Sequence, residues 1–215
     1  MRGRDGLLLE ITGMGPAQAA AGARRLVQAG ASALLSWGTA AGLVPEVRPG
    51  AVTLPQVVID ADGRQYSVDA AWHGRMLQRL SDPVAPLTAP LAACDAILRG
   101  PEDKRALHLH TGAVVADMES GAVAQVAAEA ALPFLVVRVV LDPAAGALPA
   151  CVRAGAQGEL ALPDLLRAAV VRPGDWPLLL RLAGWYGQAR RTLHRVARQG
   201  GVGRFGLDEG VGFEV

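Results

Sequence analysis

Apolar residues along this chain come in short, unbroken runs that alternate with Ala-rich segments. The first run, Leu7 to Thr12, ends in Gly13-Met14-Gly15-Pro16, and an Ala-rich stretch continues to Gln28. An apolar strand, a glycine turn and a helix with proline near its first position make a β-α unit. Ala33 to Ser36 reads as the next strand, closed by the glycine-rich turn Gly38-Thr39-Ala40-Ala41-Gly42. Pro49-Gly50 leads into Ala51 to Asp60, a longer strand, and Asp62-Gly63 signals a hairpin with Gln65 to Val68. Ala70 to Leu80 reads as a helix and Pro83 to Pro90 as a proline-punctuated loop. Cys94 to Leu98 reads as a short strand, and Pro101 to His110 as a helix opened by proline.

The clearest pattern follows. Ala113 to Ala116 is a strand, Asp117-Met118-Glu119-Ser120 a junction, Gly121 to Ala131 a helix of small residues, and Phe134 to Val140 a buried strand. Asp142 to Ala156 is a loop by composition. Alternating strands and helices with continuously apolar strands predict an α/β layered fold with a largely parallel sheet. With no repeat or linker in view, residues 1–199 read as one domain and 200–215 as a glycine-rich flexible tail.

Composition narrows the function classes. Twenty-one basic and 20 acidic side chains in 215 residues leave a net charge of +1. That excludes a polybasic nucleic-acid arm and an acidic tail as the main theme. The 51% hydrophobic content excludes general disorder, and only 4% aromatics means a core of Ala, Val and Leu. Cys94 and Cys151 are too few for a disulfide scaffold and lack metal-ligand spacing, so a reducing cytoplasm is expected. No apolar run reaches membrane-spanning length. From Trp176 to Arg204 there are six arginines and no acid, with Leu178, Leu179, Leu182, Trp185, Leu193 and Val196 at roughly helical spacing. This basic amphipathic helix either packs on the sheet with a solvated basic face or approaches an anionic membrane surface.

Ligands of open α/β sheets bind at the C-terminal ends of parallel strands. Four such ends carry suggestive groups: Gly13-Met14-Gly15, Gly38 to Gly42, Asp117-Met118-Glu119, and Arg138 with Asp142. Glycine clusters either bring backbone N–H groups close to a ligand or make tight turns. Glu119 either binds two vicinal hydroxyls or complements a helix N-terminus. Arg138, inside an apolar strand, needs a partner: a structural ion pair or a bound anion. Asp142 is a turn or capping residue unless it has a chemical role. His73, beside Trp72, either borders a pocket or is incidental. His108 and His110, two apart on a helix, point apart and are not joint metal ligands, and no metal is expected. His194 belongs to the basic tail.

Together, Gly38-Thr39-Ala40-Ala41-Gly42-Leu43, Asp117-Met118-Glu119-Ser120 and Pro133-Phe134-Leu135-Val136-Val137-Arg138-Val139-Val140-Leu141-Asp142 resemble the purine nucleoside phosphorylases and the methylthioadenosine/S-adenosylhomocysteine nucleosidases. In that superfamily a Gly-Ser/Thr-Ala-Gly-Gly-Leu turn, a Met-Glu pair opening a helix and a strand ending Arg-x-x-Ser-Asp occur in this order. Asp142-Pro143, Leu148-Pro149, Trp72-His73 and the Arg-rich tail look most like the hopanoid-associated branch, which removes adenine from adenosylhopane.

The resemblance implies a three-layer αβα fold around a mixed sheet, here apparently lacking the family's first strand. It implies that Asp142 protonates the leaving purine, that Arg138 stands near the nucleophile, and that Glu119 and Met118 hold the ribose. Thr39, the amides of Ala40 and Ala41, and Gly13 would contact nucleophile and base. Ile97, Leu98 and Asp117 would line the purine, with Trp72 and His73 at the pocket rim. It implies a nucleoside substrate, phosphate as possible co-substrate, no resident cofactor, no nucleic acid, and a homo-oligomer. Two departures are Leu141, where Ser or Thr usually precedes the aspartate, and Ala41, where Gly is usual.

Overall fold

The chain is described here by a computed structural model over residues 7–80, 85–146 and 176–201. In chain order its elements are α1 (Pro16–Gln28), β1 (Leu34–Gly42), β2 (Val52–Thr53), β3 (Val57–Ile59) and β4 (Gln65–Ser67). They continue with α2 (Ala70–Leu80), β5 (Leu91–Ala93), α3 (Pro101–Thr111), β6 (Val115–Asp117), α4 (Ser120–Glu129), β7 (Phe134–Asp142) and α5 (Trp176–Gly200).

Seven strands form one mixed sheet in the order β2-β7-β1-β6-β5-β3-β4. β1 and β7 run parallel from Leu34↔Phe134 onward. β6, β5 and β3 run parallel to one another. These two sets point in opposite directions, because β1 meets β6 antiparallel through Ala41↔Ala116 and Gly42↔Val115. The end of β1 is therefore the seam of the sheet. β7 is apolar at almost every position and buried on both faces, as a central strand between helical layers must be. α4 packs on the sheet with α1 outside it, while α5 packs on β7 and α2 on α5. The core is built of Leu, Val and Ala with Phe134 and Met76, as the low aromatic content requires.

Several expected elements differ. Gly38 to Gly42 is not a turn but the second half of β1. Its backbone groups find ladder partners on β7 and β6 that lie far away in sequence. Ala51 to Asp60 is not one strand. Pro55 has no N–H for a ladder, so the run splits into β2, paired with β7, and β3, paired with β4 and β5. Leu7 to Thr12 is not a sheet strand and shows only a bridge at Leu8. Leu7 and Ile11 are exposed. The segment lies along α1 instead: Glu10 pairs with Arg25 at 2.6 Å, and a Cβ at Gly22 would run into Thr12. The strand expected at Cys94 to Leu98 sits earlier, at Leu91–Ala93, where β3 and β6 flank it. The chain leaves the sheet after Cys94, whose N–H bonds Asp117 O at 2.8 Å.

The Ala70–Leu80 helix and the Asp62-Gly63 hairpin form where expected. The basic C-terminal helix forms as α5. It buries Ala189, Leu193, Val196 and Ala197 and exposes Arg181, Arg190, Arg191 and Arg195. Among the described residues no helix is long and apolar enough to cross a membrane. The proposed tail beyond Gly201 lies outside the described residues.

Burial ranks positions for mutation. Leu135 is fully buried, so Leu135→Ala should cost about 2–5 kcal/mol in urea unfolding. Leu109 is 72% exposed, so Leu109→Ala should stay within about 0.5 kcal/mol. Equal losses would contradict this packing.

Candidate active site

Arg138 sits in the middle of β7 directly beside Gly38 of β1. A Cβ at Gly38 would overlap Arg138 Nη1, so only glycine lets the guanidinium lie flat across the neighbouring strand. Arg138 is 4% exposed, and its Nε and Nη2 are engaged within the protein. Its Nε lies 2.6 Å from Asp117 Oδ2. Its Nη2 donates to Ser36 Oγ at 2.7 Å and Ser120 Oγ at 3.1 Å. Arg138 is thus held in an ion pair with Asp117.

Asp117 closes this network. Its Oδ1 accepts the N–H groups of Glu119 (3.3 Å) and Ser120 (3.1 Å), which caps the start of α4. Its Oδ2 accepts from Ser120 Oγ as well as from Arg138. Both carboxylate oxygens are thus used inside the protein. Removing one partner of such a buried pair typically costs about 3–5 kcal/mol, because it strands the other charge.

The network also reaches Glu119. Glu119 is half-buried just before α4, with Oε2 3.8 Å from Arg138 Nη2. Its Oε1 accepts the N–H of Gly15 at 3.0 Å. Gly15 caps α1 at φ 101°, a backbone angle that glycine adopts without strain. The glycine that caps α1 is thereby tied to the acidic residue that opens α4. Met118 is half-buried beside it, and Gly13 is exposed two residues before Gly15.

At the end of β7 the register shifts: Ala40 pairs with Val140, but Ala41 pairs with Asp142. Leu141 is the extra residue of a β-bulge, a device that re-aims side chains at strand ends. Asp142, 8% exposed, forms an ion pair with Lys104 of α3. Burial pushes its carboxyl above the ordinary carboxylate value, and the Lys104 ammonium pulls it part of the way back. The proton is therefore retained to higher pH than on a solvated aspartate. Lys104 is 1% exposed and also donates to Pro143 O at 2.7 Å and Gly146 O at 3.1 Å. Sequence reasoning missed this residue. A signal was present: Lys104 is the only lysine in a chain whose other basic side chains are all arginine.

The remaining candidate residues divide by location. Thr39, Ala40 and Ala41 lie on β1 between β7 and the seam, Thr39 half-buried and Ala40 buried. Ile97 and Leu98 line an open groove of about 730 Å³ beyond the ends of β3 and β5, together with Cys94, Leu107 and His110. Neither Asp142 nor Glu119 lines this groove. Burial, with Asp117 and Glu119 nearby, pushes the Cys94 thiol up to about 12. Trp72 lies at the other end of the sheet, in a groove with Ala33 and Pro133, which precede β1 and β7. His73 is buried on α2, its Nε2 2.9 Å from Leu54 O. Among the described residues no cluster of His, Cys, Asp or Glu could hold a metal ion.

A curled mixed sheet with an acid on a bulged strand end and a Met-Glu pair opening a helix defines a known class. Residues 3–162 match the phosphorylase superfamily, and the chain belongs to that family. No curated protein sequence matches it. Among solved structures, S-adenosylhomocysteine nucleosidase of Streptococcus pyogenes, in complex with 5-methylthiotubericidin, is 23% identical with a TM-score of 0.59. That match covers 62% of this chain and 65% of the nucleosidase, so this chain spans about two thirds of its length. The 5'-methylthioadenosine/S-adenosylhomocysteine nucleosidase of Neisseria meningitidis, in complex with methylthio-immucillin-A, is 16% identical with a TM-score of 0.66 over 88% of this chain and 78% of that one. Futalosine hydrolase of Helicobacter pylori is 14% identical, with a TM-score of 0.67 over 88% and 76%. At these identities the likeness is one of fold.

The Gly38 contact is directly testable. Gly38→Ala should displace a guanidinium held by four groups and destabilise the protein by about 1–3 kcal/mol, the usual range for overpacking. A urea midpoint equal to that of the parent protein would show that Arg138 is free to move.

Proposed function

We propose that this protein cleaves the N-glycosidic bond of an adenosine-type nucleoside, with Asp142 as general acid. The observation that carries the reading is Asp142 itself: a buried carboxyl with raised proton affinity, set by a bulge on the last residue of β7. In the proposed step Asp142 gives its proton to N7 of the purine as the bond from C1′ to the base breaks. The bonding electrons leave with the base, which departs neutral. C1′, with oxocarbenium character, is then taken by water or phosphate. General acid catalysis of this kind typically contributes about 10²–10⁴-fold. Glu119 can accept hydrogen bonds from the two ribose hydroxyls, with Met118 against the sugar. Arg138 and Asp117 fix Glu119, with Arg138 on the nucleophile side of the site and Asp117 on the purine side.

The finer assignment is an adenosine with a bulky apolar 5′ substituent, adenosylhopane, in hopanoid biosynthesis. It rests on the local motifs around Asp142 and on the basic face of α5, which suits delivery of an amphiphilic substrate from an anionic membrane surface. The second reading is a methylthioadenosine/S-adenosylhomocysteine nucleosidase, favoured by the fold shared with the streptococcal and neisserial enzymes.

Adenine release from adenosylhopane and from methylthioadenosine, each with and without phosphate, separates these readings. Release from the hopanoid alone is the expected result, and its dependence on phosphate tells phosphorolysis from hydrolysis; release from methylthioadenosine moves the protein to the general nucleosidases. Asp142→Asn should bind nucleoside and lose at least about a hundredfold in turnover. Parental turnover in that variant would sink the mechanism.

A further inference from the structure

The mechanism above leaves one buried cation without a task. Lys104 is the only lysine of the chain, and it is also among its most buried large side chains. It lies on the first turn of α3, after Glu102 and Asp103, on a helix whose other described positions are half-buried or exposed. An ammonium carries three N–H donors, and this one meets three oxygens: Asp142 Oδ2, Pro143 O and Gly146 O. Its donors are matched one to one. All three acceptors belong to the five residues Asp142 to Gly146, where the chain turns away from the sheet. A planar guanidinium has a different donor geometry from three converging oxygens, which suits a lysine here and not another arginine.

Among the described residues, the surroundings of Asp142 supply no other charge that competes. On β1 it faces Ala41, and its chain neighbours are Leu141 and Pro143. Arg138, further back on β7, is committed to Asp117. Among the described residues the ammonium of α3 is the charge acting on this carboxyl.

We infer that Lys104 is the positioning residue of the general acid: it holds Asp142 and the Pro143–Gly146 turn in one arrangement and is the charge partner of that carboxyl. The inference rests on the reading of Asp142 as the acid. It adds that α3 and the end of β7 must be joined for the acid to work. Lys104 favours the ionised carboxylate, so it sets the upper end of the pH range in which a protonated Asp142 is available. An opposite charge in direct contact typically shifts a carboxyl down by about 1–3 pH units.

Two measurements on the full chain test this. The first is the pH profile of kcat/KM. Lys104→Met keeps the length of the side chain and removes the charge. It should move the alkaline limb upward by at least about one pH unit and lower kcat more than tenfold as the turn loosens. Lys104→Arg should return the limb towards its parental position while kcat stays low. An alkaline limb that does not move in Lys104→Met overturns the inference. The second needs neither turnover nor a folded Lys104 variant. In protein labelled with ¹⁵N at lysine Nζ, a single ammonium signal is expected. It should be protected from solvent exchange, and its chemical shift should follow the titration of Asp142 and lose that dependence in Asp142→Asn. A rapidly exchanging signal that ignores Asp142→Asn overturns the inference. Parental turnover in Asp142→Asn, together with an ammonium signal that follows Asp142 in the parent protein, would instead reject Asp142 as the acid and leave the pairing standing.

Discussion

The site depends on one constraint: an arginine buried in the central strand has to find all its partners within the protein. Arg138 cannot reach solvent, so Asp117, Ser36 and Ser120 converge on it, and Gly38 clears the space between. Those partners come from β1, the end of β6 and the start of α4. Satisfying one guanidinium therefore locks three elements at the seam where the two halves of the sheet meet. Glu119 inherits its position from that lock, and through Gly15 it fixes the entry to α1.

A second ionic pair works at the far end of the same strand, with a different character. The Arg138 network joins elements within the sheet and its covering helix. The Lys104–Asp142 pair joins α3 to the chain just as it leaves the sheet. Each pair contains one carboxylate that accepts from backbone or side-chain donors, which offsets the desolvation of burying charge. The division is chemically sensible: the acid that would exchange a proton lies at the strand end, and the pair that need not change lies deeper.

Much of the fold could be read from local pattern, and the failures share a cause. The helix at Ala70–Leu80 and the hairpin around Asp62-Gly63 are specified by their own residues, and both form as expected. Gly38 to Gly42 reads locally as a turn. It is a strand because β7, a hundred residues away, supplies its ladder. Leu7 to Thr12 reads as a strand but finds no neighbour in the sheet. The motif residues Glu119, Arg138 and Asp142 were visible because their types are unusual for their surroundings. Lys104 was invisible for the opposite reason, since a lysine on a polar helical turn looks like solvated surface. Only its uniqueness in the composition marks it.

The bulge at Leu141 separates folding from chemistry at one residue. Up to Val140 both faces of β7 are buried in the core, and packing on both sides holds its side chains in place. Beyond Leu141 the phase is reset, and the direction of Asp142 no longer follows from packing of the strand behind it. The last residue of the strand is thus released from the rule that governs the others. What the strand tip presents is thereby uncoupled from the core that carries it.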